Sequence, residues 1–130
     1  MIIRSTALAL GLAVLTSGMA QADHHMAKSI KTANVSGASA LTNAKGMTLY
    51  TFDKDIAGKS NCAGKCAANW PPMPAKASSK NEGDFSVLKR ENSTYQWAYN
   101  GQPLYTWIKD GKPGDNTGDG VKGVWHTARP

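Results

Sequence analysis

The clearest alternation of apolar and polar positions lies in the C-terminal half, where Tyr95-Gln96-Trp97-Ala98-Tyr99 and Gln102 to Trp107 are rich in aromatic residues and are separated by Asn100-Gly101. Both turn residues tolerate positive φ, so the pattern predicts a β-hairpin closed by a two-residue turn. That turn sets the register, with Tyr99 opposite Gln102 and Trp97 opposite Leu104. One face then carries Tyr95, Trp97, Tyr99 and Leu104, the other Ala98, Tyr105 and Trp107. Both faces are apolar, so the hairpin is either covered on two sides or uses an aromatic face as a binding surface. A strand from Asp84 to Glu91 and a turn at Asn92-Ser93-Thr94 precede it, and Val121 to Thr127 reads as a closing strand. Ser60 to Asn69 reads as a short helical turn capped by Ser60 or Asn61 and ended by Pro71 and Pro72. Pro74 to Gly83 reads as a polar surface loop, and residues 23–34 as a mobile tail.

The chain also repeats itself. Gly46-Met47-Thr48-Leu49-Tyr50-Thr51-Phe52-Asp53-Lys54-Asp55 aligns without gaps on Gly101-Gln102-Pro103-Leu104-Tyr105-Thr106-Trp107-Ile108-Lys109-Asp110, at a spacing of 55 residues. In the same register Asn61 falls on Asn116 and Trp70 on Trp125, and eight of twenty-five positions are identical, well beyond coincidence. Asn43-Ala44-Lys45-Gly46 supplies the turn before Met47 to Asp53 in the first copy. The expected architecture is a mainly β, single antiparallel domain over 35–130, built from pseudo-symmetric repeats at about 46–70 and 101–125.

The N-terminus changes the picture of where this domain works. Arg4, the apolar run Ala7 to Leu15 and the small residues ending in Ala20-Gln21-Ala22 form the three zones of a secretory signal over 1–22. The apolar run is well short of the roughly 20 residues that cross a bilayer, so no integral membrane segment is expected after cleavage. The mature chain, starting at Asp23, is expected to be periplasmic or secreted and free in solution, since no cysteine near the cleavage site can carry a lipid anchor. The full chain carries 15 basic and 9 acidic residues; without Arg4 the basic count is 14 and the net charge near +5. Its lysines are scattered rather than clustered, which argues against nucleic acid and for loose attraction to anionic envelope polymers. Cys62 and Cys66 are the only cysteines and, in an oxidising compartment, are most simply a disulfide stapling the helical turn. Both are missing from the second copy, where Thr117 and Val121 stand, as a bonded pair requires.

Leu49 to Asp55, Ser60 to Pro72, Gln96 to Tyr105 and Gly118 to His126 together resemble the secreted and lipoprotein repeat proteins marked by a Y-x-[FWY]-x-x-D motif. The resemblance covers essentially all of residues 40–130 and implies export and duplication. It assigns no activity. This chain departs from the lipoprotein members in lacking the lipid-bearing cysteine.

No catalytic constellation assembles along the chain. His126 is the only histidine outside the extreme N-terminus, there is no G-x-S-x-G elbow, and a disulfide removes the cysteine nucleophile. Asp55 and Asp110, at equivalent repeat positions, would form an acid and base pair if pseudo-symmetry joined them, or would each cap the turn after its own strand. Tyr50, Phe52, Tyr105 and Trp107, with Asp53, Asp55 and Asp110, are the candidates for an aromatic and acidic groove binding a sugar or peptide, or else for repeated core plugs and caps. Asp115-Asn116-Thr117-Gly118-Asp119-Gly120 resembles the opening of a calcium loop, with Asp115 and Asp119 as ligands, although Thr117 and His126 stand where further ligands belong. Cleavage after Ala22 would expose Asp23-His24-His25-Met26. A histidine third from a free amine binds Cu(II) or Ni(II) in a square plane, and His24 with Met26 suits Cu(I). The sequence thus favours a non-catalytic binding or envelope-maintenance module, with periplasmic copper binding and a carboxylate-dependent hydrolase as alternatives.

Overall fold

The computed structural model describes residues 27–130. The signal peptide, the cleavage site and the copper candidates Asp23, His24, His25 and Met26 lie outside the described residues. Within them the chain is mainly antiparallel β, with strands β1 (Ile30–Val35), β2 (Ala38–Asn43), β3 (Tyr50–Phe52), β4 (Pro74–Ala75), β5 (Phe85–Lys89), β6 (Tyr95–Tyr99), β7 (Gln102–Pro103) and β8 (Trp125–Thr127). One short helix, α1, spans Lys65–Asn69. The strands pair as β1-β2, as β3-β8, and as β4-β6-β5 with β7 on β6.

The first strand corrects the expected tail. Ile30 to Val35 pairs residue for residue with Asn43 to Ala38, through a turn in which Ser36 and Gly37 both take positive φ. Ala27, Ile30 and Val35 are buried, so the ordered domain begins well before residue 35. The polar exterior of β1, which alternates little, hid a strand whose inward positions are few but fully covered.

The hairpin after β6 forms in the expected register, Tyr99 pairing with Gln102 and Leu104 donating its N–H to the Trp97 carbonyl at 3.0 Å. It is shorter than expected because Tyr105 leaves it to pair elsewhere. The two apolar faces are both covered, each by its own cluster. Trp97 and Leu104 join Ala27, Ile30, Leu41, Leu49, Met73, Phe85 and Ala128; Tyr105 joins Tyr50, Cys62, Trp70 and Trp125, with Trp107 packed against them. Other boundaries move for local reasons. The helix starts after Gly64 rather than at Ser60 or Asn61, because the Ser60 hydroxyl is committed to Tyr105 and Arg90. The segment from Val121 splits into a 3₁₀ turn at Val121–Gly123, with Lys122 and Gly123 at positive φ, and then β8. Pro74–Ala75, expected in a loop, forms an edge strand on β6. The disulfide Cys62–Cys66 is formed. Closing so short a loop restricts the unfolded chain by about 2 kcal/mol.

The repeat is realised by exchange between the two copies. Tyr50 and Tyr105 pair with each other, N to O at 2.8 and 3.0 Å, on a pseudo-two-fold axis. From there each tyrosine strand runs along the tryptophan segment of the opposite copy. Tyr50 and Phe52 pair with Thr127 and Trp125, while Tyr105 bridges Pro72. The backbone bonds repeat at the 55-residue spacing: Asp53 N to Val124 O matches Ile108 N to Asn69 O, and Ala128 N to Leu49 O matches Met73 N to Leu104 O. A half-chain therefore leaves open edges that only the other half fills. We expect cleavage of a protease site inserted between Ser78 and Ser79 to leave the two halves bound to each other on native size exclusion and to release them only in denaturant. Separation of the halves under native conditions would mean that the exchanged strands are not what joins the copies.

Candidate functional site

Two equivalent hydrogen bonds occupy the middle of the aromatic cluster. The Tyr50 hydroxyl donates to Asp110 Oδ2 at 2.6 Å, and the Tyr105 hydroxyl donates to Asp55 Oδ2 at 2.6 Å. Each tyrosine thus uses the carboxylate of the other copy. The remaining oxygens are satisfied locally: Asp110 Oδ1 accepts from the Thr117 N–H and hydroxyl at 3.0 and 2.7 Å, and Asp55 Oδ1 from the Asn61 N–H at 2.6 Å. Gly118 donates its N–H to the Tyr50 oxygen at 3.2 Å. A Cβ there would lie 2.8 Å from the Trp70 ring and 2.9 Å from the Tyr50 ring, so only glycine brings the backbone this close. On the other side Ser60 lies 2.6 Å from the Tyr105 hydroxyl and accepts from Arg90, which also holds Gln96 Oε1 and the Cys62 carbonyl.

Asp55 and Asp110 are therefore not brought together as an acid and base pair. Each stands at the turn after its own strand, where Asp55 N bonds Phe52 O and Asp110 N bonds Trp107 O, and each reaches across to the opposite tyrosine. Burial raises the Asp55 carboxyl above its ordinary range, and the bonds from Tyr105 and Asn61 and the nearby Arg90 offset that rise only in part. Both phenols are held above their usual value, foremost by burial and then by the carboxylate each one faces.

The aromatic rings form one continuous stack. Trp107, Trp70, Trp125 and Phe52 follow at centroid spacings of 3.9, 3.7 and 4.2 Å, with the Trp70 and Trp125 planes within 2° of parallel. The order is palindromic, because Trp70 matches Trp125 and Trp107 matches Phe52 in the repeat. Tyr50 meets Trp70 edge-on at 5.4 Å, and Tyr105 meets Trp125 at 5.1 Å. The two edge contacts are a geometry that the ring quadrupole favours, and the stacked pairs bring the four rings face to face in close contact.

Along the stack runs a groove of about 440 Å³, lined by Phe52, Trp70, Trp107 and Trp125 together with Cys66, Asn69, Val121, Val124 and three lysines, Lys54, Lys65 and Lys122. Lys109 places its ammonium 5.7 Å from the Trp107 ring centre. No carboxylate lines the groove. Of the seven residues expected to build an aromatic and acidic groove, Phe52 and Trp107 do line it, half-exposed. Tyr50, Tyr105 and Asp110 are buried, Asp55 is bonded to Tyr105, and Asp53 is turned to His126 Nε2 at 2.8 Å on the surface. The lysines were missed by sequence reasoning, although Lys54 and Lys109 are an identical pair within the repeat and flagged themselves by that.

A larger cleft, about 780 Å³, lies between the Gly58 to Gly64 loop and the turn from Lys89 to Asn92. The Arg90 guanidinium on its lining is held by three protein acceptors, Ser60 Oγ, Gln96 Oε1 and the Cys62 carbonyl, and Glu91 lines the cleft beside Lys59 and Lys89. The segment from Asp115 to Gly120, a glycine-rich turn with calcium as its lesser alternative, directs its carboxylates at backbone donors. Asp115 Oδ2 accepts from the N–H groups of Gly111 and Lys112, Asp119 Oδ1 accepts from Thr127 N–H, and among the described residues no three acidic, histidine or cysteine side chains converge. The bond from Thr127 holds the Asp119 carboxyl below its ordinary range.

These environments set a pH dependence with a definite sign. A phenol whose folded pKa is raised stabilises the fold fully below the unfolded value of about 10, and that contribution is lost as pH rises above it. We expect stability to urea to fall above about pH 10, with the two phenols ionising together with unfolding in ultraviolet titration. Tyr50→Phe and Tyr105→Phe should each remove one such late phenol and cost about 2 kcal/mol, the scale of a buried hydrogen bond to a charged group. Asp53→Asn, at an exposed pair, should cost under about 1 kcal/mol. Equal costs at all three positions would overturn this ordering.

No curated protein and no solved structure matches the chain. A family model described as a secreted repeat of unknown function matches twice, over residues 31–73 and 86–129, more than half of the chain. The starts of the two matches are separated by the same 55-residue spacing that relates Tyr50 to Tyr105 and Asp55 to Asp110. With its two copies interlocked across the tyrosine pair, this chain belongs to that family of secreted repeats.

Proposed function

We propose that the chain is a non-catalytic binding module, working in the periplasm or outside the cell, whose ligand is an anionic envelope polymer held in the lysine-flanked aromatic groove. One observation carries the reading: every charged side chain lining the groove is a lysine. Trp70 is covered on both faces by Trp107 and Trp125, and Trp125 by Trp70 and Phe52, so these two rings can offer a ligand only their edges. Ring edges carry the positive part of the aromatic quadrupole. Edges and ammonium groups therefore favour the same sign of ligand, and the basic balance of the whole chain adds long-range attraction. The absence of catalysis is inferred from commitment: Cys62 and Cys66 are bonded to each other, and Asp55 and Asp110 are each engaged by a tyrosine and a backbone N–H.

The test uses polygalacturonate, a carboxylate polysaccharide, with tryptophan fluorescence as the readout. Binding should shift the emission and weaken as salt is added. Exposed charge pairs contribute about 0.2–1 kcal/mol each, so replacing Lys54, Lys65 and Lys122 together by alanine should lower affinity about tenfold. A control replacing Lys28, Lys76 and Lys80 changes net charge equally and should leave affinity nearly unchanged. Equal loss in both triple variants would show that net charge, and not the groove, does the binding.

A further inference from the structure

The aromatic stack and the tyrosine–carboxylate pairs also carry a second kind of chemistry, independent of any ligand in the groove. We propose that they form a relay for one-electron oxidation, in which a vacancy created at half-exposed Trp107 passes through Trp70 and Trp125 and settles on Tyr50 or Tyr105, whose proton moves to Asp110 or Asp55. The overall step is balanced within the protein: a tryptophan radical cation, a tyrosine and a carboxylate become a neutral tryptophan, a neutral tyrosyl radical and a carboxylic acid. The external reactant is a one-electron oxidant, which takes one electron from the indole of Trp107.

The geometry supplies each requirement. Electronic coupling falls off exponentially with separation, and every neighbour in the path is in contact: 3.9 Å from Trp107 to Trp70, 3.7 Å from Trp70 to Trp125, then 5.4 Å from Trp70 to Tyr50 and 5.1 Å from Trp125 to Tyr105. The Tyr50 and Tyr105 hydroxyls each have a carboxylate oxygen 2.6 Å away, within reach of a proton moving along the hydrogen bond. A phenol that loses an electron but keeps its proton is a strong acid in an apolar site, so a bonded base lowers the cost of oxidation. Because burial holds both phenols protonated, the proton has to leave with the electron rather than ahead of it. The charges are graded along the path. Lys109 sits over the Trp107 ring and destabilises positive charge there, while Asp110 and Asp55 stabilise it at the tyrosines. A vacancy is thus driven inward from the surface.

The relay is tested by pulse radiolysis of the intact mature protein with azide radical, which oxidises indole by one electron. The tryptophan radical should decay and a tyrosyl radical rise with one first-order rate that does not change with protein concentration. The Tyr50→Phe/Tyr105→Phe variant should lose the fast transfer, although Tyr95 and Tyr99 remain. Asp55→Asn/Asp110→Asn, which keeps the shape but removes the base, should slow it by about a hundredfold, the scale of a positioned proton acceptor. Should either variant fail to fold, the wild-type rate in heavy water decides the matter, since a coupled proton predicts a slower transfer there. A rate that scales with protein concentration, survives loss of both tyrosines, or is the same in heavy and light water would overturn the relay.

Discussion

A buried carboxylate must be given donors, and here its strongest donor belongs to the other copy. Asp110 is almost fully covered, and it is Tyr50, 60 residues earlier, that reaches it; Asp55 is served in the same way by Tyr105. Neither copy can satisfy its own tyrosine and aspartate at these positions, because strand and turn hold them apart along one copy. Exchange brings them together, and the exchanged strands then place Trp125 beside Phe52 and Trp70 beside Trp107. The two tryptophans meet on the axis because each comes from the segment that the opposite tyrosine strand pairs with. Losing the cross-bond would leave one oxygen of the carboxylate without its donor, while the other keeps its local bonds.

That arrangement also sets the character of the surface. Since the tyrosine hydroxyls engage buried Asp110 and half-buried Asp55, these acidic members of the repeated motif are turned away from the groove, and the neighbouring lysines remain outside. Lys54 precedes Asp55 and Lys109 precedes Asp110, so each carboxylate that turns inward leaves its neighbouring ammonium exposed. A motif that reads as aromatic and acidic in one dimension becomes aromatic and basic in three.

Much of the scaffold was legible in the sequence for identifiable physical reasons. Asn100-Gly101 fixes the β6–β7 register through positive φ at both positions, and the lone cysteine pair is bonded as its spacing and compartment suggested. The 55-residue register exposed the equivalence of Tyr50 with Tyr105 and of Trp70 with Trp125. What it could not reveal is which partner each residue takes. A tyrosine and an aspartate five residues apart in one copy suggest a local cap, and nothing in a one-dimensional alignment distinguishes a bond within a copy from the same bond exchanged between copies. The β1 strand was hidden for a different reason: its exposed positions, Lys31, Thr32, Ala33 and Asn34, carry no large apolar side chain, and its burial rests on Ile30 and Val35 at its two ends.

The pseudo-symmetry separates what the fold requires from what it leaves free. Leu49 and Leu104, Tyr50 and Tyr105, Asp55 and Asp110, and Trp70 and Trp125 are identical, and each pair makes its contacts across the two copies. In the loops after each aspartate the copies diverge. One carries the disulfide and Lys65 where the other has Gly120; one carries Lys122 where the other has Ala67. Yet Lys65 and Lys122 converge on the same groove from their two unlike loops. Symmetry of the fold does not account for that convergence, since neither lysine is repeated. Packing does not account for it either, since both are exposed. The charge of the groove thus has two origins: Lys54, identical with Lys109 in the repeat, and Lys65 with Lys122, which come from the loops where the two copies differ.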